Sequence, residues 1–81
     1  MDWMEEFAKG SGAHTGKLTE EALIIGAKDS TSREGFWAFQ PIAERALAMA
    51  DQHNLDRKIT HTAMYDGPGG GPLYAEVIIY R

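Results

Sequence analysis

Residues 58–66, KITHTAMYD, alternate along the chain. Ile59, His61, Ala63 and Tyr65 fall on one side of an extended strand, and Lys58, Thr60, Thr62 and Met64 on the other. Residues 73–81, LYAEVIIYR, are rich in strand formers: Tyr74, Val77, Ile78, Ile79 and Tyr80. The segment between them, Asp66-Gly67-Pro68-Gly69-Gly70-Gly71-Pro72, breaks both patterns. Glycine there supplies positive φ, and each proline withholds a ladder donor. The pattern predicts an antiparallel hairpin whose loop is too long to set the register by itself. The apolar positions favour Tyr65 opposite Leu73, Ala63 opposite Ala75, His61 opposite Val77 and Ile59 opposite Ile79. The second face then pairs Met64 with Tyr74, Thr62 with Glu76, Thr60 with Ile78 and Lys58 with Tyr80. It is too apolar for a solvated face and too polar for a core. Such a surface suits another subunit or a ligand, or a cover from the N-terminal segment or a loop.

Residues 2–9, DWMEEFAK, read as a short helix with Trp3, Met4 and Phe7 on one sticky side. Asp2 stands at the N-cap, Glu5 and Glu6 suit the first turn, and Gly10 ends it. So short a helix holds only when docked, so Trp3 and Phe7 are expected against the sheet or a neighbouring subunit. Residues 10–16, GSGAHTG, read as a flexible loop, with His14 solvated. With Lys17 they invite comparison with a phosphate-binding loop, but Ser11 stands where the first glycine belongs and Leu18 follows the lysine.

Residues 18–28 are strand-like, centred on Ala22-Leu23-Ile24-Ile25, a run that suits cover on both faces. Residues 29–33, DSTSR, are turn chemistry. Residues 34–40 admit two readings. Thr31 and Glu34 have the spacing of a capping box, which would start one helix over 32–54 with Pro41 inside it. An interior proline costs about 3 kcal/mol. Phe36-Trp37-Ala38-Phe39 also reads as a strand, and Pro41 then opens the helix, where its missing N–H costs nothing. The strand reading is favoured. Residues 41–54 form the main helix, with Ile42, Ala43, Ala46, Leu47, Met49 and Ala50 as its buried stripe.

The expected fold is α+β. A short N-terminal helix precedes ββαββ, a small antiparallel sheet with one main helix on one face; the alternative is βαββ with a longer, kinked helix. Eighty-one residues make one domain: 1–16 the short helix and glycine-rich loop, 17–81 the sheet-plus-helix core. A chain this small buries only about 60% of its unfolded surface. It has no cysteine to staple it, so oligomerisation would help. A formal net charge of −4 argues against general nucleic-acid binding and suits a basic partner. The first nine residues are too polar for a signal peptide, and no apolar run is long enough to span a bilayer, so the expected location is cytoplasmic, without membrane contact.

No motif specifies a chemistry. His14, His53 and His61 do not share a metal-ligand spacing, so no metal or other cofactor is expected. His61 reads as a core histidine, and Glu76 as a partner for Lys58, for Arg81 or for another molecule. His61, Tyr65 and Asp66 could gather for proton transfer, though a purely structural cluster is the expectation. The loop over 67–72 reads as a solvated turn, with an anion-holding nest as the alternative. No catalytic set can be assembled. The candidate binding residues are Trp3, Phe7, Trp37, Met64, Tyr65, Gly69, Gly70, Tyr74, Glu76 and Tyr80.

GAKDSTSR before the helix, the strand-helix-strand-strand order and the final EVIIYR loosely resemble dodecins, over roughly 22–81. The resemblance implies a βαββ fold, an assembly of many subunits and flavin binding. In that family flavin stacks on a tryptophan of the second strand; here that strand reads KITHTAMY and has none, so no site residue carries over.

Two functions remain as expectations. The first is a small, acidic, non-catalytic interaction protein, homo-oligomeric, that binds or inhibits another macromolecule, in the manner of phage inhibitors of bacterial defence by analogy alone. The alternative is an oligomer that holds a small aromatic or anionic ligand, nucleotide-like or flavin-like, between subunits.

Overall fold

The computed structural model describes residues 2–65 and 70–81, and only the backbone of Tyr65. Its elements run α1 (Trp3–Ala8), β1 (His14–Leu18), β2 (Ala22–Ala27), α2 (Arg33–Gln52), β3 (Lys58–Tyr65) and β4 (Gly71–Tyr80). The strands form one antiparallel sheet in the order β1-β2-β4-β3. The fold is α+β, a small antiparallel sheet with one main helix and a short helix before it. No described helix is long and apolar enough to cross a membrane.

Both helices lie on the same side of the sheet. Met4 of α1 shares one core with Phe39, Ala43, Ala46 and Ala50 of α2 and with Leu23, Ile25, Val77 and Ile79 of the two central strands. The registers line these strand residues up across the sheet: Leu18, Leu23, Ile79 and Lys58 in one row, Gly16, Ile25, Val77 and Thr60 in the next. The core is deepest over β2 and β4 and thins out toward β3.

The ββαββ order holds, but with different residues. Residues 34–40 are the first turns of α2, so the long helix is correct and the expected strand there is not. Spacing explains the outcome. Phe36 and Phe39, three apart, share a helix face with Ile42, Ala43 and Ala46, and all are buried. In a strand they would point to opposite sides. The other strand comes from the glycine-rich loop, because 14–18 pairs with β2. The long run over 18–28 is broken by a turn at Thr19, whose hydroxyl accepts the Glu21 and Ala22 N–H groups at 3.2 and 3.0 Å.

His14 is no solvated loop residue. It is 7% exposed. Its Nε2 donates to the Phe7 carbonyl at 2.9 Å, and its Nδ1 meets the Ser11 hydroxyl at 3.0 Å. Gly16 lets α1 lie directly on β1, since a Cβ there would collide with the Phe7 carbonyl and the Ala8 backbone. At the other end of α1, the Asp2 carboxylate caps the helix by accepting the Met4 N–H at 3.1 Å.

The hairpin register also differs from expectation. Ile79 faces Lys58, Val77 faces Thr60, and Glu76 faces His61. Ala75 is then skipped, so Tyr74 faces Thr62 and Pro72 faces Met64. β4 is the cause. It pairs with β2 as well, so Val77 and Ile79 must share a side with Ile25 and Leu23, under the helix. His61 and Ile59 then fall on the opposite side, with Glu76 and Ile78, and His61 is exposed instead of buried in the core. The bulge at Ala75 resets the alternation, as an extra residue must, and returns Tyr74 to the helix side.

α2 starts from a tight polar turn. Its N-cap is Ser32, one residue past the expected Thr31, and the Ser32 hydroxyl accepts the Gly35 N–H at 3.1 Å. Asp29 accepts from the Thr31 hydroxyl and the Ser32 hydroxyl at 2.6 and 2.7 Å, and from the Thr31 N–H at 2.9 Å. Gly35 is needed because a Cβ would run into the Asp29 backbone. The hydroxyls of Thr31 and Ser32, followed by the Thr31 N–H, hold the Asp29 carboxyl down from 3.8 to about 2. A carboxylate whose folded value is depressed stabilises the fold above its unfolded value, and that support disappears as pH falls through the folded value. The stability advantage of the protein over Asp29→Asn should therefore be constant above about pH 4 and shrink between about pH 4 and 2. Urea denaturation of both proteins across that range measures it; an advantage that persists unchanged at pH 2 would contradict the assignment.

Candidate functional site

Four residues of α2 at helical spacing, Trp37, Gln40, Pro41 and Glu44, form one wall of a cleft of about 580 Å³. Thr62 of β3 and Pro72, Leu73 and Tyr74 of β4 form the other. The cleft exists because α2 packs over β2 and β4 while the hairpin continues beyond it. Met64, out on the hairpin, is 71% exposed.

Gln40 ties the two walls together. Its Oε1 accepts the Tyr74 N–H at 2.8 Å, and its Nε2 donates to the Tyr74 carbonyl at 2.9 Å. The same Nε2 also donates to the Phe36 carbonyl. The β2–β4 ladder ends at Gly26 and Glu76, so two residues further on a side-chain amide does what a third strand would do. The carboxamide suits this role because it carries one acceptor and two donors in one plane. Tyr74 is held half-buried against the core, whereas Trp37 is 48% exposed.

Pro41 sits inside α2 and faces solvent. It has no N–H, so the Trp37 carbonyl four residues earlier lacks its usual helical donor. Carbonyls on the outer face of a helix tilt toward water, which lowers the cost of an interior proline.

The sequence-derived candidates fall in separate places. Trp37 and Tyr74 share this cleft. Trp3 and Phe7 border a second, apolar cleft of about 420 Å³ between α1 and α2, closed by Ala48 and Met49. The Trp3 ring stacks on His53 at 5.6 Å and meets the Phe7 ring edge-on at 5.9 Å. Glu76 and Tyr80 lie on the far side of the sheet. Glu76 stands 3.7 Å from His61, both well exposed, instead of meeting Lys58 or Arg81; Lys58 bonds Asp51 at 2.6 Å. The Arg57 guanidinium covers the Tyr80 ring at 4.5 Å. Gly70 is exposed just before β4. Gly69, the side chain of Tyr65 and the first half of the proposed anion nest, 67–69, lie outside the described residues. The second hairpin face anticipated from the sequence is divided: Thr62 and Tyr74 go to the helix side, Glu76, Ile78 and Tyr80 to the open side.

Sequence reasoning missed Gln40, Pro41 and Glu44. The i, i+4, i+7 spacing of Trp37, Pro41 and Glu44 was the available signal, and it disappears once 34–40 is read as a strand. Nothing local marks Gln40, whose partner is 34 residues away. Among the described residues, no three His, Asp or Glu side chains gather as they would around a metal ion. No protein family, curated protein or solved structure matches this chain.

Replacing Gln40 with leucine leaves the Tyr74 N–H and carbonyl without these partners. Each orphaned, part-buried group costs about 1–3 kcal/mol, so Gln40→Leu should lower stability by roughly 2 kcal/mol or more. A urea midpoint equal to that of the parent protein would show that the amide does not join the walls.

Proposed function

We propose that this domain is a non-catalytic interaction protein that self-associates through the open face of its sheet. The observation that carries this reading is a row of three isoleucines. Ile24, Ile78 and Ile59 stand directly opposite one another on β2, β4 and β3, on the side away from both helices. Ile59 is 42% exposed. Such a row, not covered by either helix, is a natural seat for apolar surface.

A second copy suits it for two reasons. A two-fold pair uses the same patch twice, and this patch carries a cation at one end and a carboxylate beside its middle. Lys17 lies beside Ile24, and Glu76 beside His61 in the next row. The outline of the domain, 39 by 23 Å in its long directions, accommodates the interface of about 800 Å² per partner that stable pairs commonly use. Burial of the row would also compensate for the small core of so short a chain.

The ligand-holding alternative finds stacking surfaces at Trp37 and Tyr74. Among the described residues Glu44 is the one charged side chain lining that cleft, so a phosphate-bearing nucleotide or flavin would meet a carboxylate and no cation from them. An anionic ligand is therefore disfavoured there.

Light scattering and native mass spectrometry test the proposal. The untagged protein should form a discrete dimer or higher closed oligomer. Ile78→Lys should give monomers with a melting temperature changed by no more than a few degrees, because Ile78 lies outside the helix-covered core. A protein that stays monomeric at all concentrations, or an Ile78→Lys variant that assembles like the parent, would exclude the open face as the interface.

A further inference from the structure

The cleft beside the hairpin lies on the helix side of the sheet, away from the isoleucine row, and self-association makes no use of it. Its two aromatic side chains come from different walls, Trp37 from α2 and Tyr74 from β4. Pro41 leaves the Trp37 carbonyl without its helical donor, and both residues belong to the cleft-lining stripe of α2. One turn further along, Glu44 lines the cleft with a carboxylate that has no ion-pair partner among the described residues. Among the described residues, no lysine or arginine lines the space. The carboxamide of Gln40 is already committed to Tyr74 and Phe36.

These groups ask for one kind of ligand: flat, cationic and rich in N–H donors. We propose that the cleft receives an arginine side chain presented by a basic segment of a partner protein. A guanidinium is planar and stacks on aromatic faces, which attract it electrostatically. Its five donors, fixed in one plane, can serve a carboxylate and a carbonyl together. A lysine ammonium has the charge without the plane. The formal net charge of −4 draws a basic segment toward the domain and repels acidic ones.

The test uses the full chain, labelled with nitrogen-15, and two blocked tripeptides: Gly-Arg-Gly and the same peptide with citrulline, the neutral isostere. The reporter is the Trp37 indole N–H, distinguished from that of Trp3 by the spectrum of Trp37→Phe. The arginine peptide should shift the Trp37 signal saturably, and the citrulline peptide should bind about 10-fold more weakly or not at all. Glu44→Gln should weaken the arginine peptide by a similar factor of about 10. Pro41→Ala supplies an N–H to the Trp37 carbonyl and removes an interior proline. It should raise the melting temperature and still bind arginine about threefold or more weakly, a combination that damage to folding cannot produce. Equal affinity for the two peptides, shifts confined to Trp3, unchanged binding by Glu44→Gln, or no saturable shift up to millimolar peptide would each overturn the proposal. Repeating the titration on Ile78→Lys separates it from self-association: arginine binding should survive there whether or not the subunits come apart.

Discussion

Everything in this domain depends on how closely α2 approaches β2 and β4. Ala43, Ala46 and Ala50 are fully buried, and their small side chains bring the helix backbone down onto Leu23, Ile25, Val77 and Ile79. Larger residues at those positions would lift the helix and uncover the isoleucine and valine side chains that close the core. Among the large side chains of the stripe, Phe39 is the one buried completely, with Phe36 and Ile42 buried beside it. That contact fixes which side of β4 faces the helix. Through β4 it fixes the register of β3, and so which hairpin side chains are left exposed.

Much of this was readable from the chain. The two paired strands near the end, the Asp2 cap of α1 and the alanine-rich stripe of 41–54 each follow from local chemistry, and each is present. The errors have a common origin. Residues 34–40 satisfy both a strand and a helix locally, and the interior proline tips the local balance toward the strand. The tertiary structure decides otherwise, because only a helix turns Phe36 and Phe39 toward the same core. The hairpin register failed for a similar reason. Its own apolar pattern is consistent with two pairings, and the choice is made by β2, a strand it does not contain. The cleft was half visible, as Trp37 and Tyr74. Its polar members were hidden by the strand assignment that concealed the helical spacing of Pro41 and Glu44.

Pro41 and Gln40 are adjacent and act in opposite senses. Proline removes a hydrogen bond from the helix at the solvent side, while the glutamine before it adds three between side chain and backbone, two of them to a different element. The result is a helix locally weak along its own axis and firmly fastened across it. The cleft walls are thereby held at a set separation. His14 plays a comparable fastening role for α1, where a single imidazole joins a six-residue helix to the loop leading into β1.

The strand order β1-β2-β4-β3 has a kinetic meaning as well as a geometric one. Each hairpin closes over a short span, since Leu18 faces Leu23 and Tyr65 faces Gly71. The central seam joins Ile25 to Val77, with all of α2 and β3 between them. Loop-closure entropy grows with the logarithm of the span, so bringing β2 to β4 costs roughly 2 kcal/mol more than closing either hairpin. The reward for that step comes only when α2 settles over the seam and buries it. Folding of this small domain is thus a problem of docking two ready-made ribbons beneath one helix, and its rate belongs to the seam, not to the turns.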